Sequence, residues 1–328
     1  MKQYTWDNTA REVINDGRFR AMNAFFTPSF LKTMPKEADQ TFGSFRKSPV
    51  SIYYMEWMMH SMNVILRRQF EGEEAMLPIW EADEVEDGGG AVLIPFLINR
   101  PSPCIIICPG GGYVSSLIPT EGVELAEKMN SLGFNAAVLV YRTAPHRYPV
   151  PQSDLMRAIR YVRAHPGRFH LSGNRVAVMG SSAGGHLCAS VGALYQQIAD
   201  ETHRYDEYSP RPDAIVLNYP VISFIREPHE GSVEMLLGKN PTEEQRFSLS
   251  VEKQVKKDYP PTFVWHCKND DTVSCNHTIM MSNRLKICGV AYEAHLYPTG
   301  WHGCGIATGT SAEGWSDLAA AFLKDVMK

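Results

Sequence analysis

From residue 75 onward, short apolar runs alternate with longer segments whose apolar positions recur at helical spacing. The short runs predict buried strands, and the longer segments predict helices that cross between them. Strands are predicted over residues 104–108, 136–141, 175–179, 214–219, 262–267 and 292–297, and helices over 121–132, 152–164, 183–191, 276–288 and 311–326. An antiparallel pair over 76–80 and 91–98, around a turn at 87–90, precedes them. This pattern predicts an α/β fold with a mostly parallel central sheet covered by helices on both faces, and with functional groups beyond the carboxyl ends of its strands.

Two segments depart from this alternation. The first 74 residues predict only helices, which lie over 9–19, 25–33 and 51–70, the last with one apolar face. We interpret residues 1–74 as an N-terminal helical extension, either a cap over the site or a dimer element, before a catalytic domain at 75–328. The polar, Pro- and Glu-bearing stretch 221–259 predicts an insertion that forms a partial cap over the sheet.

The composition, with 44% hydrophobic and 21% charged residues, is that of a globular protein with an ample core. A net charge of −4 without a Lys/Arg cluster argues against a nucleic-acid partner. No apolar run of a signal peptide follows the start, and Glu56, His60 and Asn63 make the longest apolar segment too polar to span a bilayer. Seven cysteines without a tight spacing pattern indicate reduced thiols, so we expect a cytoplasmic protein. Cys104 and Cys108 are interpreted as small buried hydrophobes rather than metal ligands, and no metal or cofactor is expected.

A candidate nucleophile stands where the predicted strand 175–179 breaks into small residues before the helix 183–191. The motif Gly180-x-Ser182-x-Gly184 fills that break. Glycine is needed on both sides of so sharp a turn because side chains there would collide with the strand and the helix. The turn lifts the Ser182 hydroxyl to the helix N-terminus, where the N–H of Ala183 faces the group under attack. The pentapeptide alone is not specific, and the strand before it and the helix after it give it weight.

Serine needs a base, and eleven histidines compete for that role. His302 is favoured because it follows the predicted strand 292–297 in a loop flanked by glycines, at the edge of the sheet where a site is expected. His186, one turn into the helix after the serine, is more typical of a structural residue. His266 falls within a strand, and His146 and His165 fall near helix ends.

An acid should orient the histidine, and two adjacent carboxylates follow the strand at 262–267. The spacing to the end of the strand favours Asp270 as the partner of His302, with Asp271 as the alternative. The other carboxylate would cap the helix that starts just after.

Gly110, Gly111 and Gly112 follow the first buried strand. Three glycines let the main chain approach a substrate closely, so their N–H groups can stabilise a developing oxyanion. A phosphate-binding loop is the poorer interpretation, since neither GxGxxG nor GxxxxGK[ST] occurs.

Five motifs in fixed order carry a family resemblance over about residues 75–328. They are Pro109-Gly110-Gly111-Gly112-Tyr113, Tyr141-Arg142-x-Ala144-Pro145, Gly180-Ser181-Ser182-Ala183-Gly184-Gly185-His186-Leu187, Asp270-x-x-Val273 and Gly300-x-His302-Gly303. Together they resemble the α/β-hydrolase superfamily, and within it the bacterial esterase/lipase group similar to hormone-sensitive lipases and to acetylxylan-esterase-like carbohydrate esterases.

The resemblance implies the α/β-hydrolase fold and a role for each matched position. Ser182 would be the nucleophile, His302 the base and Asp270 the acid that orients it. The oxyanion donors would be the N–H groups of Gly111, Gly112 and Ala183. Two residues depart from the family pattern: Pro109 replaces the histidine of the lipase-like branch, which favours the carbohydrate esterases, and Ser274 replaces the proline common after Asp-x-x-Val.

These features predict a metal-independent serine carboxylesterase. By the resemblance alone, its substrate is a small-molecule ester with a short acyl group, acetyl on a sugar or another hydroxylated compound. An arylformamidase-like amidase or peptidase uses the same triad and stays an alternative. A non-catalytic ligand-binding homologue is the other alternative, although such proteins typically lose a triad residue. We expect no nucleic-acid partner and no membrane span, and a homodimer is left open.

Overall fold

The computed structural model describes residues 3–18, 39–85, 90–199 and 203–328. The helix predicted over 25–33 and most of the turn predicted at 87–90 lie outside these residues. In chain order the strands are β1 (Leu77–Pro78), β2 (Val92–Phe96), β3 (Ser102–Cys108), β4 (Asn135–Val140), β5 (Leu171–Ser181), β6 (Ala214–Asn218), β7 (Thr262–Cys267) and β8 (Tyr292–Tyr297). They form one eight-stranded sheet in the order β1-β2-β4-β3-β5-β6-β7-β8. The pairs β1–β2 and β2–β4 are antiparallel and the other five neighbouring pairs are parallel, which confirms the mostly parallel sheet and the leading antiparallel pair.

Helices precede the sheet, connect many of its strands and follow the last one. They are α1 (Ala10–Ile14), α2 (Pro49–Phe70), α3 (Glu124–Ser131), α4 (Val150–Ala164), α5 (Ala183–Leu194), α6 (Glu230–Leu237), α7 (Glu243–Ser248), α8 (Val251–Gln254), α9 (Asn276–Cys288) and α10 (Trp315–Val326). A 3₁₀ turn at Phe42–Phe45 precedes α2, and a π-helical turn at Pro119–Val123 leads into α3. Among the described residues, no helix combines the length and the apolar character that crossing a bilayer requires.

Strand β3 shows why the central strands read as continuous apolar runs. Successive side chains point to opposite faces of a sheet. Ile105 and Ile107 therefore pack into one core and Cys104 and Ile106 into the other, and all four are buried. The first core also holds side chains from α2, α3 and α10, and the second holds side chains from α4, α5 and α9. Helices thus cover both faces, as predicted.

Element boundaries differ from the predictions by a few residues at several strand and helix ends. The last helix begins at Trp315 rather than 311 because the preceding residues pair with the loop after β8. Ser311 Oγ accepts a hydrogen bond from the N–H of Thr299 at 2.8 Å, and the N–H of Ser311 donates to the carbonyl oxygen of Thr299 at 3.2 Å. The first helix is only five residues long, from Ala10 to Ile14.

Helix α2 lies against α3 and the π-helical turn, in the layer that shares the first core. The hydroxyl of Tyr53 donates to the carboxylate of Glu124, and His60 Nε2 lies 2.9 Å from Glu127 Oε1. A Cβ atom added to Gly305, which comes just after His302 in the chain, would lie 2.9 Å from the Tyr53 hydroxyl. The N-terminal segment therefore reaches the loop that carries His302, while its separation from residues 75–328 as an extension stays a prediction. Helices α6, α7 and α8 lie in the stretch predicted as an insertion, between β6 and β7.

Candidate active site

Ser182 stands at the break between β5 and α5, with φ 54° and ψ −118°. Such a backbone conformation is rare for a residue other than glycine and is typical of a nucleophile turn. The neighbouring glycines are required by space. A Cβ atom on Gly180 would lie 2.1 Å from the carbonyl oxygen of Gly184, and one on Gly184 would lie 2.0 Å from that of Cys108.

His302 and Asp270 complete a hydrogen-bonded chain with this serine. His302 Nε2 lies 2.8 Å from Ser182 Oγ, and His302 Nδ1 lies 2.7 Å from Asp270 Oδ2. Because a carboxylate only accepts hydrogen bonds, Nδ1 carries the proton and Nε2 is left to accept the proton of the serine hydroxyl. The side chains of Asp270 and His302 are 1% and 16% exposed. The structure therefore brings together three residues that the sequence analysis selected from distant segments.

The loop after β7 keeps the Asp270 carboxylate charged. Its Oδ1 accepts the N–H groups of Thr272 and Val273, each at 2.9 Å, and His266 Nε2 approaches Oδ2 at 3.2 Å. Burial would raise the pKa of Asp270, but the hydrogen bonds from His266 and His302 outweigh it and hold that pKa well below its ordinary value. Asp270 is thus ionised at neutral pH.

The second carboxylate in this loop points elsewhere. Asp271 is exposed and accepts a hydrogen bond from Thr272 Oγ1 at 3.3 Å. The structure brings Asp270, and not Asp271, to His302. The expected helix cap at this position is wrong: α9 begins only at Asn276, whose N–H donates to Ser274 Oγ at 3.2 Å and not to a carboxylate.

His186 is buried and makes two hydrogen bonds away from the serine. Its Nδ1 lies 2.8 Å from the hydroxyl of Tyr113, and its Nε2 lies 2.8 Å from the carbonyl oxygen of Leu249. The ring stacks on Phe224 with 4.2 Å between ring centroids. Burial lowers the pKa of His186 to about 4, so the imidazole is neutral at neutral pH. These contacts give His186 the structural character that the sequence indicates.

The glycine turn after β3 lies directly against the serine. A Cβ atom on Gly110 would be 2.9 Å from Ser182 Cβ. The N–H of Gly110 is already occupied, since it donates to Glu121 Oε2 at 2.7 Å. Gly111 and Gly112 adopt φ 129° and 63°, and their N–H groups make no hydrogen bond within the described part of the chain. Ala183 begins α5, where N–H groups have no partner within the helix. Gly111, Gly112 and Ala183 thus keep N–H groups without a partner among the described residues in the two turns next to Ser182, and their role as oxyanion donors stays a prediction.

Three further residues of the site escaped the sequence analysis. Glu121 was placed at a predicted helix start, where acidic residues are usually exposed, yet it is buried beside the glycine turn. Tyr219 follows β6 at the carboxyl edge, and that position could have drawn attention to it. His229 lies in the insertion, with its Cε1 3.9 Å from where a Cβ atom would stand on Gly112. No signal in the sequence separates His229 from the other histidines.

The N–H of Ser232 donates to His229 Nδ1 at 3.2 Å, so the other ring nitrogen carries the proton of the neutral imidazole. Burial lowers the pKa of His229, which favours that neutral form.

Among the described residues, no cluster of three or more His, Cys, Asp or Glu side chains is arranged to hold a metal ion.

Comparison with known proteins finds a family model and a solved structure that this chain resembles. The BD-FAE family model matches residues 92–285. A solved structure, the acetyl ester-xyloside bifunctional hydrolase from Caldicellulosiruptor lactoaceticus, is 35% identical and superposes with a TM-score of 0.70, covering 77% of this chain and 96% of that one. These matches confirm the predicted α/β-hydrolase fold and the resemblance to carbohydrate esterases.

Two curated relatives are longer proteins. Endo-1,4-beta-xylanase B of Butyrivibrio fibrisolvens is 33% identical over 248 residues, which is 73% of this chain and 39% of the relative. The acetylxylan esterase of Xylanibacter ruminicola is 28% identical over 230 residues, which is 68% of this chain and 46% of the relative. The match therefore spans less than half the length of either relative.

Proposed function

We propose that this chain, which belongs to the BD-FAE family of α/β hydrolases, is a serine carboxylesterase. It removes short acyl groups, acetyl above all, from hydroxylated compounds such as sugars. The observation that carries the proposal is the unbroken hydrogen-bonded chain from Asp270 through His302 to Ser182, set against a turn with free N–H groups. A nucleophile, a base with a fixed tautomer and an oxyanion site are what acyl transfer requires.

In the first half of the proposed reaction, Ser182 Oγ attacks the ester carbonyl carbon and His302 Nε2 takes the hydroxyl proton. The carbonyl oxygen becomes an oxyanion, which the N–H groups of Gly111, Gly112 and Ala183 stabilise. The imidazolium is stabilised by the ionised Asp270. When the tetrahedral intermediate collapses, the bond to the alcohol oxygen breaks and the alcohol leaves with the proton from Nε2.

In the second half, water replaces the alcohol. His302 Nε2 takes one proton of the water as its oxygen attacks the acyl-enzyme carbonyl. Collapse releases the carboxylic acid, and the proton on Nε2 returns to Ser182 Oγ. The free enzyme is restored without a net gain or loss of protons on the protein.

The acetyl preference is supported by the relatives. One is an acetylxylan esterase, and another is an acetyl ester-xyloside hydrolase. The insertion brings His229 against the turn of Gly110, Gly111 and Gly112 (the oxyanion turn), so we expect the insertion to contact the alcohol portion.

The test measures release of acetate from acetylated xylo-oligosaccharides and hydrolysis of 4-nitrophenyl esters of two to eight carbons. An arylformamide and an aminoacyl anilide test amide cleavage, and Ser182→Ala controls for background. Faster turnover of acetyl esters than of octanoyl esters or amides supports the proposal. Faster amide cleavage contradicts it, as does the absence of esterase activity in the folded wild-type protein.

A further inference from the structure

Glu121 is a fully buried carboxylate without a cationic partner among the described residues. Two donors hold it instead. The N–H of Gly110 donates to Oε2 at 2.7 Å, and the hydroxyl of Tyr219 donates to Oε1 at 2.8 Å. A buried carboxylate without a counter-ion is costly for a fold to keep. Its place next to the nucleophile therefore calls for a functional reason.

The chain reaches this position through an irregular turn. The N–H of Leu117 donates to the carbonyl oxygen of Gly110 at 2.9 Å, and the N–H of Glu121 donates to that of Leu117 at 2.9 Å. Residues Pro119–Val123 then form the π-helical turn, all of it buried. Single π turns are rare and occur often at functional sites, because they aim a side chain where a regular helix would not.

On one side, the carboxylate fixes the oxyanion turn. By occupying the Gly110 N–H, it leaves those of Gly111 and Gly112 as the free donors of the turn. A Cβ atom added to Gly110 would lie 2.6 Å from Glu121 Oε2 and 2.9 Å from Ser182 Cβ. Only one glycine therefore separates the carboxylate from the nucleophile.

On the other side, the carboxylate reaches the loop after β8 that carries His302 (the histidine loop). Tyr219 Oη accepts the N–H of Gly305 at 3.2 Å, and the Tyr219 ring meets the His302 ring edge-on with 5.2 Å between centroids. Glu121 Oε1 would lie 3.6 Å from a Cβ atom on Gly303. Glu121 is thus connected to both loops that the reaction needs.

We propose that Glu121 is a positioning residue of the esterase site, an inference that rests on the proposed function. It holds the oxyanion turn through Gly110 and the histidine loop through Tyr219. Its two oxygens accept hydrogen bonds as those of a carboxylate do, and the charge on that carboxylate also favours the imidazolium that forms on His302 when Ser182 attacks.

The titratable groups around His302 and Glu121 determine how the activity should depend on pH. The titratable groups around His302 are Asp270, Glu121, Tyr219 and His229. The titratable groups that interact electrostatically with Glu121 are Tyr53, Tyr54, Tyr141, Tyr219, Cys304 and His302. Burial raises the pKa of Glu121, while the charge of His302 and the bonds from Tyr219 and Gly110 oppose that rise. Among these groups, His302 is the one able to carry a positive charge. Removal of the Glu121 charge should therefore mainly destabilise the cationic form of His302.

The test compares Glu121→Gln and Glu121→Ala with wild type on 4-nitrophenyl acetate between pH 5 and 9. Glutamine keeps the shape and can still accept the Gly110 N–H, but it lacks the charge. We expect Glu121→Gln to lower kcat about tenfold at nearly constant KM, and Glu121→Ala to lower it about a hundredfold. In Glu121→Gln, the acid limb of kcat/KM should move down by about one pH unit, because the imidazolium loses a nearby anion.

Glu124→Gln is the matched control. It removes a second buried carboxylate from the same segment, one held by the Tyr53 hydroxyl and the N–H of Ile306, without touching Gly110 or Tyr219. Its kcat and its acid limb should stay at wild-type values.

Three results would overturn the inference while wild type remains an active esterase. They are a Glu121→Gln variant with wild-type kcat and acid limb, a loss no greater than in Glu124→Gln, or a rise in KM alone. If Glu121→Ala does not fold, Glu121→Gln decides the question. A wild type without esterase activity would instead refute the proposed function.

Discussion

The imidazole of His302 meets the hydroxyl of Ser182 at 2.8 Å, although 120 residues separate them in the chain. The contact forms because Ser182 follows β5 and His302 follows β8, and parallel strands end at the same edge of a sheet. Within the described part of the chain, His302 is the one base that bonds the Ser182 hydroxyl. Their roles should therefore be tightly coupled.

Ser182→Ala and His302→Ala should each lower kcat by about 10⁴- to 10⁶-fold, since members of a triad act as a unit. For the same reason, the double variant should lose little more than either single variant. Steady-state kinetics on 4-nitrophenyl acetate measure this, with circular dichroism as the check on folding. Losses that simply multiply would show that His302 does not serve Ser182.

Asp270→Asn should lower kcat by about 10⁴-fold with the fold intact, because an amide cannot stabilise the imidazolium as a carboxylate does. Asp271→Asn is the matched control, as its side chain is exposed and its bond is to Thr272. It should retain wild-type kinetics. The opposite ranking, with both variants folded, would assign the acid to Asp271.

Glu124 should make the stability of the protein depend on pH. Burial raises the pKa of Glu124 to about 7, above its value in the unfolded chain. Between that ordinary value and about pH 7, the folded state binds more protons than the unfolded state, so stability falls as pH rises through this window. Glu124→Gln cannot titrate and should lose this dependence.

The measurement is the urea midpoint of wild type and Glu124→Gln at pH 5 and pH 8. Wild type should lose stability relative to the variant as pH rises. Parallel changes in the two proteins would mean that Glu124 has an ordinary pKa in the folded state.

The sequence was sufficient wherever a pattern is local. Strands β7 and β8 and helix α9 have the predicted bounds because each carries its own apolar period and is bounded by turn residues. The position of Ser182 was also predictable, since only glycine fits at Gly180 and Gly184 on so close a turn.

Other features depend on partners from distant segments. Glu121 looks like an ordinary acidic residue at a helix start, and its burial follows from Gly110 and Tyr219, which a local pattern does not connect to it. The late start of α10 has the same origin, because Ser311 bonds to Thr299 across the loop after β8. Asp271 was expected to cap α9, yet the intervening loop turns back toward Asp270 instead.

The nucleophile itself can be identified directly by reaction with a fluorophosphonate, digestion and mass spectrometry of the labelled peptides. A reactive serine beside a base and an oxyanion site should form one adduct, on Ser182, and His302→Ala should label far more slowly. Folded wild-type protein that stays unlabelled, or that carries its adduct on another residue, would contradict the assignment of Ser182 as the nucleophile.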